Sequence, residues 1–376
     1  MTAEFEVIAP GRVNLIGEHI DYNLLPVLPI AIDRAIRIRA RAREDARVVL
    51  ASPVFGQREF ELAPEIPPYP AGDWGNYAKA AGQALAARRQ VTRGFEGEVT
   101  GDIPIAAGLS SSSALVVACG LALLRANQAE FDRLALMDEM ADAERYVGTR
   151  GGGMDQAICL AGVEDHAVLI EFAPLRLLPI PIPRGWRFVV AGSLVKAEKS
   201  AATREAYNQR VEDCRDALRR LPVRATGYPD LLARVPGAEL LRMAEEHLAD
   251  RPRRRFRHVV TEAARVWEAR DALVSGDAAR FGRLLAESHR SLRDDYQVSH
   301  PEVDRLVDLA MESGAWGARV TGAGFGGSIV AAVPADNVNR VIRNLEERFY
   351  GPRRIKGLEG GFLLAARASH GARVWP

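Results

Sequence analysis

An α+β fold built in two halves is what this sequence predicts, and three observations carry the prediction. The chain has 376 residues, enough to bury a large core and more than one core usually organises. Its segments run in the order strands with helices, then helices, then strands, an α+β pattern in each half. Prolines cluster near Pro183, which sets the expected boundary between residues 1–183 and residues 184–376.

The elements follow in order. "FEVIAPGRVNLIGEH" reads as a strand broken at Pro10-Gly11 and resumed, and "VLPIAIDRAIRIRARA" alternates apolar and basic residues, as a strand with one wet face does. "NYAKAAGQALAARR" has helical periodicity, and an apolar helix follows the serine run with Ala114, Leu115, Val116, Val117 and Ala118. The segment from Phe131 to Val147 is expected to be helical, with Leu134, Leu136, Met137, Met140 and Ala143 inward. "HAVLIEFAPLRLLPIPIP" and "GWRFVVAGS" restore strand character, Thr203–Ser275 and Ala278–Arg293 are charged and amphipathic, and "GARVTGAGFGGSIVAAV" carries a glycine-rich turn into a strand.

Composition excludes several classes. With 48% hydrophobic and 26% charged residues and a net charge of +1, no global field favours nucleic acid or an anionic membrane. The basic run "RPRRRFRH", Arg251–His258, holds one aromatic and reads as a solvated helix start. Three widely separated cysteines, Cys119, Cys159 and Cys214, fit reduced thiols and lack metal-ligand spacing. The histidines show no HExxH pattern. No leader-like start or long apolar run occurs, so the expectation is a cytoplasmic protein with no membrane partner.

Four clusters can carry chemistry. In "GDIPIAAGLSSSSAL", Gly101–Leu115, residues Ala106–Ser113 have almost no side-chain bulk, so their N–H groups can converge on phosphate oxygens while a helix N-terminus adds its dipole. A small-residue turn into a buried helix is the plain alternative, and the P-loop string is absent. Near the N-terminus Arg12, Glu18, His19, Asp21 and Tyr22 crowd into eleven positions, a density suited to a polyhydroxylated ligand whose buried hydroxyls each need a partner. A surface turn capped by acids is the alternative there. "ERYVGTRGGGMDQ" sets Asp155 behind three glycines, where it can accept a hydroxyl proton. "VTGAGFGGS", Val320–Ser328, again suggests close backbone approach to a ligand.

Taken together and in this order, the clusters resemble those of the galactokinases of the GHMP kinase superfamily. "GRVNLIGEHIDYN" is similar to the family's sugar signature, "IPIAAGLSSSSAL" to its phosphate loop, "GGGMDQ" to its catalytic-aspartate motif and "TGAGFGG" to its C-terminal glycine motif. "DWGNYAKA", "REAYNQRVEDC" and "SHRSLRDDYQVSHPEVD" extend the resemblance over nearly the whole chain. It implies an N-terminal half like the second domain of ribosomal protein S5, a ferredoxin-like C-terminal half, and a site in the cleft between them. It further implies ATP-dependent phosphorylation of galactose at the anomeric C1 hydroxyl. Asp155 would face that hydroxyl as candidate base, with Arg12 beside it lowering its pKa and steadying the phosphoryl group. Glu18, His19, Asp21, Gly152 and Tyr207 would hold the sugar. Ala107, Gly108, Leu109, Ser110, Ser111 and Ser112 would wrap the ATP phosphates, and Trp74 would border the nucleotide. Mg²⁺ would lie at Ser111 and Glu144, with Glu139 and Asp142 as competitors on the same helix. The protein is expected to work as a monomer.

Some features resemble the N-acetylgalactosamine kinase branch instead, among them Ile20 within "GEHIDY", "GLSSSSAL" and "GTRGGGMDQ". Sugar choice therefore stays open on sequence alone. A non-catalytic sensor of galactose and ATP is a further alternative, opposed by the intact loop from Leu109 to Ala114. A mevalonate-type kinase is disfavoured by "GEHIDYN".

Overall fold

The computed structural model describes residues 4–104, 108–148, 151–195 and 201–376. The first half contains β1 (Glu4–Asn14), β2 (Pro29–Ala42), β3 (Arg47–Ser52), β4 (Gly56–Glu61), α1 (Gly75–Arg89), β5 (Phe95–Gly101), α2 (Ser111–Ala126), α3 (Arg133–Ala143), α4 (Met154–Ala161), β6 (His166–Phe172) and β7 (Leu175–Pro181). β1 and β2 form a long antiparallel pair whose register shifts between Pro10 and Arg12. Pro10 cannot donate to a ladder, so the strand bends where the sequence predicts its break. On β2, Ile38 and Ala40 face inward while Arg37, Arg39 and Arg41 face solvent.

α2 is the central helix of this half. From Ser113 to Ala126 every residue except Arg125 is buried, because the helix is apolar all round and packs against α1 on one side and β1 and β2 on the other. A side chain such as Leu121 or Val117 stabilises the fold by about 1.5–3 kcal/mol through burial alone. This packing fixes the helix's first turn in space.

The helix expected over Phe131–Val147 is shorter. α3 starts at Arg133, capped by Asp132, whose carboxylate accepts the Ala135 N–H at 2.8 Å, and residues 144–147 tighten into a 3₁₀ turn. Leu134, expected inward, is exposed. It lies about 200° round the helix from Leu136, which shares the buried stripe with Met137, Met140 and Ala143.

The second half contains β8 (Trp186–Gly192), α5 (Ala201–Arg220), α6 (Tyr228–Arg234), α7 (Gly237–His247), α8 (Asp250–Ser275), α9 (Ala278–Ser291), α10 (Pro301–Glu312), β9 (Gly317–Thr321), β10 (Ser328–Pro334), α11 (Val338–Leu345), β11 (Leu363–Ala366) and β12 (Arg373–Trp375). The sheets are six-stranded, in order β12-β1-β2-β5-β3-β4, four-stranded, in order β11-β8-β10-β9, and two-stranded, β6-β7. α9 and α10 pack on β9, and α11 on β8. The final strand, β12, returns to the first sheet beside β1.

The basic run opening α8 is solvated only in part. Arg253 and Arg254 pair with Asp250, but Arg255 and His258 are buried. Positions 255, 258, 259, 262 and 266 form an i, i+3, i+4 stripe that faces the interior. Among the described residues no helix is long and apolar enough to cross a membrane.

Candidate active site

β1 delivers Arg12, and the first turn of α4 delivers Asp155. Arg12 donates Nε–H to Asp155 Oδ1 at 2.7 Å, Nη2–H to Oδ2 at 2.9 Å, and Nη1–H to the Gly108 carbonyl at 2.5 Å. The planar fork thus ties the carboxylate to the serine-rich loop. Burial works against the Arg12 charge, yet the charges of Asp155, Glu18 and Asp21 outweigh it and raise its pKa.

The serine turn meets this pair directly. Gly108 and Ser110 take left-handed backbone conformations, φ 72° and 59°, and α2 begins at Ser111. Ser110 occupies the N-cap position, but its hydroxyl donates to Asp155 instead of capping the helix. The first-turn N–H groups at Ser111, Ser112 and Ser113 therefore lack an intrahelical acceptor and point where the helix dipole is positive. Ser113 donates to Glu144 at 2.7 Å and stands 3.5 Å from Asp155. Ala107 lies outside the described residues. Leu109 is buried, and its carbonyl accepts the Arg12 N–H at 3.1 Å.

On the other side of Asp155 lies the turn after β1. Asp21 accepts the Gly152 N–H at 3.1 Å, and a Cβ on Gly152 would sit 2.3 Å from the Asp21 carbonyl carbon and the Tyr22 nitrogen, so only glycine fits. Burial, with the charges of Asp155 and Glu18, pushes the Asp21 carboxyl up to about 7. Glu18 Oε1 accepts from the Gly322 N–H at 2.7 Å and the Thr321 hydroxyl at 3.1 Å, with Arg319 at 3.5 Å. Burial lowers the His19 pKa to about 3, leaving a neutral ring. Tyr207 stacks obliquely on that ring with centroids 5.4 Å apart.

The turn is held from the second half of the chain. Glu262 on α8 accepts the Gly17 N–H at 2.9 Å, His258 meets the Glu18 carbonyl at 3.0 Å, and Arg319 donates to the Leu15 carbonyl at 2.9 Å. Gly322 is also where the two glycine-bearing loops touch, since a Cβ there would lie 2.9 Å from the Gly108 carbonyl oxygen.

Arg12, Glu18, His19, Asp21, Gly152, Asp155, Tyr207 and the residues from Gly108 to Ser112 are thus gathered around one junction. Trp74 stands apart from it, at the start of α1, donating Nε1–H to the Phe55 carbonyl in the β3–β4 turn at 3.3 Å. Glu139 and Asp142 turn toward α1, where they pair with Arg89 and Arg88. Sequence reasoning missed Ser113 as a bridging hydroxyl, although its i, i+3 spacing from Ser110 puts both on one helix face. It also missed Glu262 and Arg319, which no local pattern singles out, and the hydroxyl of Thr321, which lies inside a glycine-rich segment whose sequence signal is backbone approach alone.

Known proteins share this geometry's sequence signals. Residues 76–163 match the GHMP kinases N terminal domain, residues 269–351 the GHMP kinases C terminal domain, and residues 2–42 the galactokinase galactose-binding signature. A galactokinase of Chloroflexus aggregans is 41% identical over 89% of this chain and 85% of that protein. One of Pasteurella multocida is 36% identical over 99% and 95%. The structure of a Lactococcus lactis galactokinase complexed with galactose superposes with TM-score 0.87 at 32% identity, covering 98% of this chain and 95% of that one. A mevalonate kinase structure, 18% identical with TM-score 0.63 over 96% and 98%, shares the two-domain fold. Fold, site and relatives agree that the chain belongs to the galactokinase family of the GHMP kinases.

Proposed function

We propose that this protein transfers the γ-phosphoryl group of ATP to the C1 hydroxyl of galactose, giving galactose 1-phosphate and ADP. The observation that carries this reading is the bidentate Arg12–Asp155 pair standing against the start of α2. Asp155 accepts a hydrogen bond from the C1 hydroxyl and aligns its oxygen, then receives the proton as the O–P bond forms and the hydroxyl becomes acidic. Arg12 stays charged and steadies both the carboxylate and the moving phosphoryl group. The loose, highly charged transition state rewards such positioning and fixed charge above full proton removal. Residues Ala107–Ser112 wrap the ATP phosphates with backbone N–H groups, and Trp74 borders the nucleotide. Glu18, His19, Asp21, Gly152 and Tyr207 form the sugar side.

The donor set beside α2 suits Mg²⁺, since the Glu144 carboxylate and the serine hydroxyls are hard oxygens. Among the described residues no group of three or more His, Cys, Asp or Glu is arranged to hold a metal. Glu144 and Ser111 would be the residues that hold Mg²⁺. Bound there, Mg²⁺ would supply positive charge to offset the negative charge that develops during phosphoryl transfer. All of these groups come from one chain, and we take the working unit to be a monomer.

An ADP-release assay across galactose, N-acetylgalactosamine, glucose, arabinose and galacturonic acid tests the proposal. Galactose-dependent turnover that disappears in Asp155→Asn is the expected result. Binding of galactose and ATP without turnover would favour a sensor, and preference for N-acetylgalactosamine would reassign the substrate.

A further inference from the structure

Behind the sugar turn runs a buried chain of hydrogen bonds that the phosphoryl-transfer scheme does not use. His19 Nδ1 lies 3.0 Å from the Tyr22 hydroxyl, that hydroxyl 2.6 Å from the Tyr296 hydroxyl, and the latter 3.1 Å from Cys214 Sγ. At the other end His19 Nε2 lies 3.0 Å from the Ala323 carbonyl oxygen. His19, Tyr296 and Cys214 are each almost wholly buried.

One atom fixes the direction of every bond. A carbonyl oxygen only accepts, so Nε2 must carry the hydrogen. In a neutral ring Nδ1 is then bare and accepts from Tyr22. Having donated its one hydrogen, Tyr22 must accept from Tyr296, which in turn accepts from the Cys214 thiol. The chain therefore runs from Cys214 on α5, through Tyr296 and Tyr22, to His19 and on to the glycine loop at Ala323. Both His19 nitrogens are used within the protein, so neither is left for a sugar hydroxyl.

Tyr296 is built for this part. It ends a π-helical turn, residues 292–296, of the kind concentrated at functional sites. Its carbonyl accepts from Arg210 Nε at 3.1 Å, its ring lies 4.5 Å from that of His258, and the Arg255 guanidinium sits 5.7 Å from its ring centroid. Helices of the second half thereby hold a hydroxyl that orders the sugar turn of the first.

We propose that Tyr296 is a positioning residue for the sugar site: acting through Tyr22, it locks His19 as the Nε2–H tautomer, and His19 serves as a strut between the sugar turn and the glycine loop. This rests on the galactose reading above, so galactose-dependent ADP release by the wild-type protein is established first, before any variant is compared with it.

The test is a double-mutant cycle with Tyr22→Phe and Tyr296→Phe, reading KM for galactose, KM for ATP and kcat, with thermal melts to confirm folding. Each single change is expected to raise KM for galactose by about three- to tenfold, the range of one hydrogen bond, with KM for ATP unchanged and kcat within about twofold. The double variant is expected to be no worse than Tyr22→Phe, because the two act in series. Effects that multiply, a parallel rise in KM for ATP, or an unchanged KM for galactose in folded Tyr296→Phe would overturn the proposal. If Tyr296→Phe fails to fold, imidazole ¹⁵N spectra of the wild-type protein decide. A neutral His19 protonated at Nε2 supports the chain, and a charged ring or the Nδ1–H tautomer refutes it.

Discussion

The two sides of Asp155 solve the problem of buried charge differently. On the phosphate side every carboxylate has a donor: Asp155 takes two bonds from Arg12 and one from Ser110, and Glu144 takes one from Ser113. On the proposed sugar side Glu18 is paired too, with Thr321, Gly322 and Arg319. But Asp21 lies among other carboxylates with a backbone N–H as partner, and its pKa rises to about 7, while His19 and Tyr207 present neutral rings. The proposed phosphate side, which would face a moving anion, keeps its charges fixed and paired. The proposed sugar side keeps neutral rings and a carboxyl that holds its proton almost to neutral pH.

The contrast breaks most sharply at the paired side. Asp155→Asn keeps the shape and loses the charge, so kcat is expected to fall by about 10²–10⁴-fold while KM for galactose changes little. Arg12→Lys is expected to cost about 10²-fold or more in kcat, because a point charge cannot reproduce three bonds from one planar group. Steady-state ADP release measures both, and activity within a few-fold of wild type would remove either residue from the mechanism.

Next in size is Gly152→Ala. Its Cβ has no room against Asp21 and Tyr22, and overpacking of this kind costs about 1–3 kcal/mol. The displaced carboxylate should appear as a raised galactose dissociation constant by calorimetry, with ATP binding unaltered. Equal weakening of both ligands would mean that the two sides are not separable.

The Asp21 carboxyl gives a pH signature. Between its usual 3.8 and about 7 the folded chain binds this proton more readily than the unfolded chain, so this group's contribution to stability falls as pH rises through that window. Asp21→Asn should therefore gain in melting temperature relative to wild type between pH 5 and pH 8. A difference that is flat with pH would contradict the raised value.

Glu262 sharpens the comparison by having the opposite sign. Burial opposes its charge, but Arg265, His258 and Arg319 and the Ser288 hydroxyl outweigh that and hold the carboxyl at about 2. Its contribution is complete above pH 4.5 and is lost as pH falls toward 2. Glu262→Gln should flatten the acid limb of the stability curve, read by denaturant melts between pH 2 and pH 5. An acid limb as steep as wild type would show that the group is not ionised in the fold.

Much of this site is legible in the sequence because it consists of short local signals. The break at Pro10-Gly11, the serine run before an apolar helix and the glycines before Asp155 each state a backbone requirement that a few adjacent residues reveal. The supports are not legible in that way. Glu262 meets Gly17 across 245 positions, and in its own neighbourhood it is one more charged residue on an amphipathic helix. Arg255 and His258 hide within a basic run whose other arginines are solvated. Leu134 shows the limit on a smaller scale, since an apolar residue beside a buried stripe is placed by a rotation of about 200° that composition does not encode. Tyr296 depends on a π turn, which hydrophobic periodicity does not predict.

The most direct measurement is a crystal structure with galactose and a non-hydrolysable ATP analogue bound together. Phosphoryl transfer at this junction predicts the C1 hydroxyl within hydrogen-bond distance of Asp155, in line with the γ-phosphorus, and the phosphates resting on the N–H groups that open α2. Sugar and nucleotide in separate cavities, with Asp155 touching neither, would contradict it.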